Sequence, residues 1–360
     1  MKIKRLKKIL RDNQSFPYLI TDLNNIRYLT GFSGTNASIV IDEKVSYFIT
    51  DSRYEEYACS LLPKDFKFVL QTGSMQEAVK ICLERSDSKA IFVESHSITL
   101  NQHALLKKDL KKIKIIPLHD DPINFIRMEK DNDEISVLRE AAVITDNCFY
   151  HLLKFIKAGM TEWEIALEIE SYFKRNGCRS CSFDTIVASG SNSSMPHHTP
   201  SMNKKISRGE VLLIDMGCMY KGYNSDLTRT IFIGKIDKKI DKKIEEIYNI
   251  VLEAQIKSIE AVKPGLISSE LDNVARTIIS DYGYGEEFGH GLGHGLGLEV
   301  HEMPAVKKND NTKLKKNMVI TIEPGIYISG LGGVRIEDMV LVTEGGSEIL
   351  TKCPKELIVI

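Results

Sequence analysis

Four acidic side chains interrupt runs that otherwise read as apolar β-strands. "VLLIDMG" (211–217) contains Asp215, "SDLTRTIFIG" carries Asp226, "MVITIEPG" ends on Glu323, and "GVRIEDMVLVT" embeds Glu337 two residues from Arg335. Between the first two runs, "YKGYN" reads as a tight turn. A two-residue loop at Lys221–Gly222 puts Tyr220 opposite Tyr223 and Asp226 opposite Gly217, with Asp215 on the same face one diagonal away. Diagonal neighbours across antiparallel strands stand about 7–8 Å apart, a gap that two carboxylate arms can close onto a shared ion. Without a cation the like charges repel and one takes up a proton. The plainer accounts are strand-end aspartates with ordinary partners, an edge-strand acid at Glu323 stopped by Pro324, and a same-face salt bridge between Arg335 and Glu337.

A second constraint comes from "GHGLGHGLGLEVHE" (289–302). Glycine at alternate positions costs a helix about 1 kcal/mol each, so the run is extended or looped and brings backbone close to something bulky. Along an extended chain His290 and His294 share a side, whereas His301 points away unless the chain bends. Spacing alone does not choose which histidine holds a metal.

Several motif readings fail on their spacing. "CRSC" (178–181) lacks a properly spaced histidine pair, since His197 and His198 are adjacent, and both cysteines read as structural. "HEMPA" begins like a zincin helix but has Ala305 at the second-histidine position and Pro304 inside. Reading GxGxxG from Gly289, Gly291 or Gly293 puts His294, Leu296 or Leu298 at the last glycine. Seven scattered cysteines do not form a disulfide framework.

A chain of 360 residues leans towards two domains. Lys and Arg total 48 against 49 Asp and Glu, a balance with no general pull on nucleic acid or anionic lipid. No signal-peptide or membrane-length apolar stretch is evident, and the expected location is cytoplasmic. The basic opening "MKIKRLKKIL" has helical apolar spacing at Ile3, Leu6, Ile9 and Leu10, so its lysines form a solvated face. From Tyr18 to about Pro117, short apolar runs alternate with helical stretches, as in an α/β unit. "PLHDDPINF" interrupts the pattern, and a long helix capped by Asp131 or Asn132 follows, which predicts domains at 1–124 and 125–360. Within the second, "IKAGMTEWEIALEIESYFKRNG" (156–177) is echoed by "VKPGLISSELDNVARTIISDYG" (262–283), the first with a Thr161/Glu164 capping box and the second without a full one. Duplication lets two similar half-lobes face each other across a crevice.

Taken in order, Asp215, Asp226, "GHGLG" with His294, "VHE" with His301, "EPG" with Glu323 and "RIED" with Glu337 resemble the pita-bread dinuclear metallopeptidases. "ASGSNSSMPHHTPS" around His197, together with "NIRYLTGFSGTNASIVI" and "TDSRY", is similar to the branch of Xaa-Pro aminopeptidases and prolidases. The resemblance implies an α/β creatinase-like N-terminal domain followed by an α+β pita-bread catalytic domain with pseudo-twofold duplication. It implies metal ligation by Asp215, Asp226, His294, Glu323 and Glu337. His301 then hydrogen-bonds substrate, His290 lines the pocket, and His197 stabilises developing charge or shuttles a proton, with His198 at the surface. Arg335 orients carboxylates or substrate, while Tyr327 is open between facing the crevice and packing.

Four carboxylates balance two divalent ions, and one imidazole among oxygens suits manganese, cobalt, iron or zinc, with manganese first by resemblance. The expected activity is that of an Xaa-Pro aminopeptidase acting on small peptides with proline second, Glu323 serving as general base and His197 and His301 stabilising the tetrahedral intermediate. The family also suggests a homodimer. The alternatives are an Xaa-Pro dipeptidase and a non-catalytic binding protein of the same shape. Prolidases of the family carry a carboxylate-gripping arginine shortly before "EPG", where "NDNTKLKKNM" offers only lysines.

Overall fold

The computed structural model describes residues 2–84, 88–235 and 239–360. The chain divides into two compact units, Met1–Arg127 and Met128–Ile360, which part at the end of helix Pro122–Met128 rather than at residue 124.

The N-terminal unit is built on a six-stranded mixed sheet. Its strands run, edge to edge, Phe66–Leu70, Ser46–Thr50, Ser38–Ile41, Tyr18–Ile20, Ala90–Glu94 and Lys114–Leu118. Ser38–Ile41 pairs antiparallel with both of its neighbours, and the other three pairings are parallel. Helix Lys2–Asp12 buries Ile3, Leu6 and Leu10, as its apolar spacing predicts.

The C-terminal unit consists of two related halves. Helix Asn132–Phe155 is capped by Asp131, whose carboxylate accepts from Glu134 N at 2.9 Å while Glu134 accepts from Asp131 N at 2.9 Å. Helix Glu162–Arg175 has the predicted Thr161/Glu164 box and gives way to Gly177 at φ +81°. In the second half, Lys239–Ala261 and Ser268–Asp281 repeat that pair. Ile267 has no side-chain acceptor to offer at the cap, so only Glu270 reaching back to Ile267 N at 3.2 Å remains of the box.

The echo extends to the connections. Gly159 and Gly265 both have positive φ; Gly159 N donates to Ile206 O at 2.8 Å and Gly265 N to Leu314 O at 2.8 Å, while Ile206 N donates to Met160 O and Leu314 N to Leu266 O, each at 2.8 Å. Each half then places an antiparallel pair at its centre: Glu210–Met216 with Leu227–Ile233, and Val319–Ile322 with Asp338–Val342. Asp215 lies at the end of the first strand of one pair and Glu323 just after the first strand of the other. Asp226 and Glu337 each immediately precede the second strand. Duplication therefore supplies the four acids as two equivalent twos.

The predicted register holds, with Tyr220 opposite Tyr223 and Thr228 opposite Asp215. "HEMPA" lies in strand Glu302–Val306, not a helix. All seven cysteines are free, and Cys181 pairs across strands with Cys218. Among the described residues no helix is long and apolar enough to cross a membrane.

Candidate active site

Asp215 sits on the middle strand of a three-stranded sheet, between Thr228 and Ile186, and Asp226 follows the hairpin that returns beside it. Gly217 permits this return, because a Cβ there would collide with the Ser225 carbonyl oxygen. His294 belongs to the short strand Gly293–Gly295, held between Glu302–Val306 and Val319–Ile322. A Cβ on Gly293 would strike the Thr321 carbonyl and one on Gly295 the Met303 carbonyl. The bulky neighbour that the glycines accommodate is thus backbone of adjoining strands.

Asp226, His294 and Glu337 each offer a ligand atom, and these atoms all lie within 4.8 Å of one another. His294 Nε2 stands 3.2 Å from Glu323 Oε1 and 3.8 Å from Asp226 Oδ2. Its Nδ1 lies 3.1 Å from the Gly295 carbonyl oxygen, which can only accept, so Nδ1 keeps a proton whether or not Nε2, the nitrogen turned to the acids, carries a second one. Asp215 joins through Arg335, whose Nη2 donates to Oδ2 at 2.6 Å. The same-face salt bridge between Arg335 and Glu337, the plainer account of that pair, is not among the ion pairs of the described residues. Arg335 Nε donates instead to Thr228 Oγ1 at 3.1 Å, and Thr228 donates to Glu337 Oε2 at 2.7 Å. The neighbouring Asp338 faces the other way, into Arg229, Gln255, Thr351 and Lys355.

A cavity of about 820 Å³ opens onto these residues and is also lined by His197, His198, His290, His301, Trp163 and Lys307. His301 reaches it because the chain bends after His294, and the two imidazoles meet edge to face with centroids 4.3 Å apart. Tyr327, left open by the sequence, is a link. Its hydroxyl accepts from Arg335 Nη1 at 2.8 Å and donates to His290 Nε2 at 3.0 Å, since His290 Nδ1 is turned to the Gly291 carbonyl at 2.8 Å. His198 is not a surface residue: its side chain is 11% exposed and its Nε2 lies 2.7 Å from the buried Glu162. Thr228 was missed, although it shares a strand face with Asp226 at period two in "SDLTRT".

Electrostatics divides the acids. Burial works to raise Glu323, but the His294 hydrogen bond and charge outweigh it and hold its pKa at about 2. Burial first, then Glu337, pushes Asp226 well above the carboxylate range; burial first, then Glu323, does the same to Glu337. Burial also raises Asp215, against the opposing pull of Arg335. Arg335 and His294 supply two positive charges for four acids, so without further cations the site retains protons on its carboxyls.

The residues fit a metal. Asp215 Oδ1 is buried with no hydrogen-bond partner among the described residues, an orphaned acceptor on a side chain that lines the same cavity as Asp226, His294, Glu323 and Glu337. The other acid–histidine group, Glu94, His96 and Asp121 in the N-terminal unit, differs in this respect. Glu94 already accepts from Thr21 N, Asp22 N and Asn25 Nδ2 at 2.6, 2.8 and 2.7 Å, and Asp121 from Tyr18, Asn25 and Ile123.

Comparison with known proteins agrees with this geometry. Residues 136–344 match the model of metallopeptidase family M24, and residues 2–128 that of the creatinase/prolidase N-terminal domain. The chain is 40% identical to an Xaa-Pro dipeptidase of Pyrococcus horikoshii over 361 residues, covering 99% of this chain and 98% of the relative. A solved Xaa-Pro dipeptidase from Bacillus anthracis superposes with a TM-score of 0.95 at 40% identity, covering 100% and 99% of the two chains. An X-Pro aminopeptidase from Thermotoga maritima gives 0.89 at 37%, covering 99% and 100%. The chain belongs to metallopeptidase family M24, on the pita-bread fold with a creatinase/prolidase N-terminal domain.

Proposed function

We propose that this protein is a metal-dependent Xaa-Pro dipeptidase, hydrolysing the bond between an N-terminal residue and a C-terminal proline. The observation that carries the reading is the meeting of Asp215, Asp226, His294, Glu323 and Glu337 at one cavity, with Asp215 Oδ1 left without a partner. Those five would hold two divalent ions, manganese first and cobalt, zinc or iron as alternatives. Such a pair supplies Lewis-acid polarisation of the scissile carbonyl and a more acidic water.

The chain's own groups do the rest. Glu323, which lines the cavity beside His294, takes the proton of the attacking water. His197 and His301 face the cavity and donate to the carbonyl oxygen that gains charge as the water adds, and the proton taken by Glu323 passes to the proline nitrogen as the C–N bond breaks. Arg335, tied to Asp215 and Tyr327, holds the carboxylates in place.

The relatives move the length preference from the aminopeptidase expected at first to the dipeptidase, since the matches above include two Xaa-Pro dipeptidases at 40% identity. Lys307 supports that shift: among the described residues it is the lysine or arginine lining the cavity that makes no ion pair, and a dipeptide presents a free carboxylate there. The aminopeptidase reading retains the Thermotoga maritima structure in its favour.

The test is hydrolysis of Xaa-Pro and Xaa-Pro-Xaa peptides before chelation, after it, and after manganese is returned. Metal-restored activity with dipeptides preferred is expected. Preference for the tripeptide would make the protein an aminopeptidase, activity indifferent to chelation would remove the metal mechanism, and no hydrolysis of either would leave a binding protein.

A further inference from the structure

Glu162 is the first residue of helix Glu162–Arg175, fully buried, and it does not line the cavity. Its carboxylate is nevertheless saturated by one segment far along the chain. Oε1 accepts from Ser189 N at 2.7 Å, Ser189 Oγ at 2.8 Å and Asn192 Nδ2 at 3.0 Å. Oε2 accepts from Ser201 N at 3.0 Å and has His198 Nε2 at 2.7 Å. All five partners fall between residues 189 and 201, the segment that carries His197. An ionised carboxylate only accepts, so His198 presents Nε2–H to it. Burial alone would raise the acid, but the His198 bond and the backbone donors outweigh it and hold it down.

The segment is pinned on its other side as well. Ser193 Oγ accepts from Gly333 N at 2.8 Å, on the strand that carries Arg335. Gly333 has no room for a Cβ against the Ser193 carbonyl. His197 therefore stands between a buried acid and the strand of a site arginine, without a hydrogen bond of its own to define its place among those described.

We propose that Glu162 is a positioning residue, which through its bonds to residues 189–201 sets where His197 stands in the cavity and acts on catalysis through it. This rests on the dipeptidase reading and on His197 stabilising the developing charge. Glu162→Gln keeps the side-chain shape but turns an acceptor into a donor, so the bonds to either Ser189 and Asn192 or His198 and Ser201 are lost. Misplacing a catalytic group by about 1 Å can cost up to roughly a hundredfold.

The experiment is a double-mutant cycle on the manganese-loaded full chain, with an Xaa-Pro dipeptide as substrate. Glu162→Gln should lower kcat about ten- to a hundredfold with KM within about twofold and metal content unchanged. In a His197→Ala background the same change should alter kcat less than about twofold. Effects that multiply, a wild-type kcat in Glu162→Gln beside a crippled His197→Ala, or loss of metal in Glu162→Gln would each overturn the positioning role. Wild-type kcat in His197→Ala would overturn it together with the role given to His197. If Glu162→Gln does not fold, Asn192→Ala, which removes one bond, runs the same cycle with an expected loss of about threefold that vanishes without His197.

Discussion

Asp226→Asn should stabilise the metal-free protein and forfeit most of the stabilisation that metal brings. Asp226 and Glu337 bring carboxylate oxygens within 4.8 Å of one another, and both are buried. At an effective dielectric constant of about 20, that separation corresponds to about 3 kcal/mol of repulsion when both are charged. The metal-free protein avoids part of this by retaining protons, which is the sense in which both pKa values rise. For an acid raised on folding, stability is fully present below the unfolded pKa and is lost as pH climbs through the folded one. Asparagine removes the charge, so in chelator the variant should match or exceed the parent, by up to about 3 kcal/mol, with the gain growing towards alkaline pH. At about 2–4 °C per kcal/mol this is a readily measured rise in the catalytic unit's Tm. In saturating manganese most of that gain is cancelled. A ligand present at 100 times its Kd stabilises by about 2.7 kcal/mol, and a hundredfold weaker site forfeits nearly all of it. Scanning calorimetry in chelator and in manganese at pH 6 and 8 reads all four values. A variant that melts lower in chelator, or retains the full manganese shift, would refute both the repulsion and the ligand assignment.

Other consequences are more local. Lys307→Ala should raise KM for Xaa-Pro dipeptides about three- to fivefold, the worth of an exposed charge pair, while Xaa-Pro-Xaa kinetics stay level; an equal effect on both substrates would remove Lys307 from the carboxylate. Gly293→Ala drives a Cβ into the Thr321 carbonyl and should weaken manganese binding by at least about tenfold in calorimetric titration, whereas Gly289→Ala, with open space around it, should leave the affinity unchanged. In the N-terminal unit, burial and then Asp121 push Glu94 up to about 7 from 4.5. Its contribution is complete below pH 4.5 and disappears as pH rises through 7, a swing on the order of 3 kcal/mol. Glu94→Gln should flatten the denaturation midpoint between pH 5 and 8 whatever it does to absolute stability; an unchanged slope would count against the shift.

Much of the site was legible because its signals are local. Apolar runs broken by single acids, a turn between two of them, and glycines that forbid a helix specify strands, a register and an extended histidine segment without any tertiary information. The register of Asp215 and Asp226 follows from a two-residue loop alone, and the caps at Asp131 and Thr161 from side chains three residues away. Resemblance supplied His294 over its two neighbours, a choice that spacing left open.

What the chain order could not express is which partner each charge finds. Arg335 and Glu337 share a strand face at period two, yet the guanidinium bonds Asp215, 120 residues earlier, and reaches Glu337 only through Thr228. His198 looked like the idle neighbour of His197 until folding placed Glu162 beneath it. Glycines that look alike in "GHGLGHGLG" separate into Gly293 and Gly295, wedged against carbonyls, and Gly289, facing open space. Periodicity and turn chemistry act over a few residues, so the sequence by itself determined the strands, the turns and the candidate acids. Coulomb pairing and desolvation act across whatever distance the fold closes, so only the tertiary structure decided which acids are neutralised, which are left facing one another, and where a cation is needed.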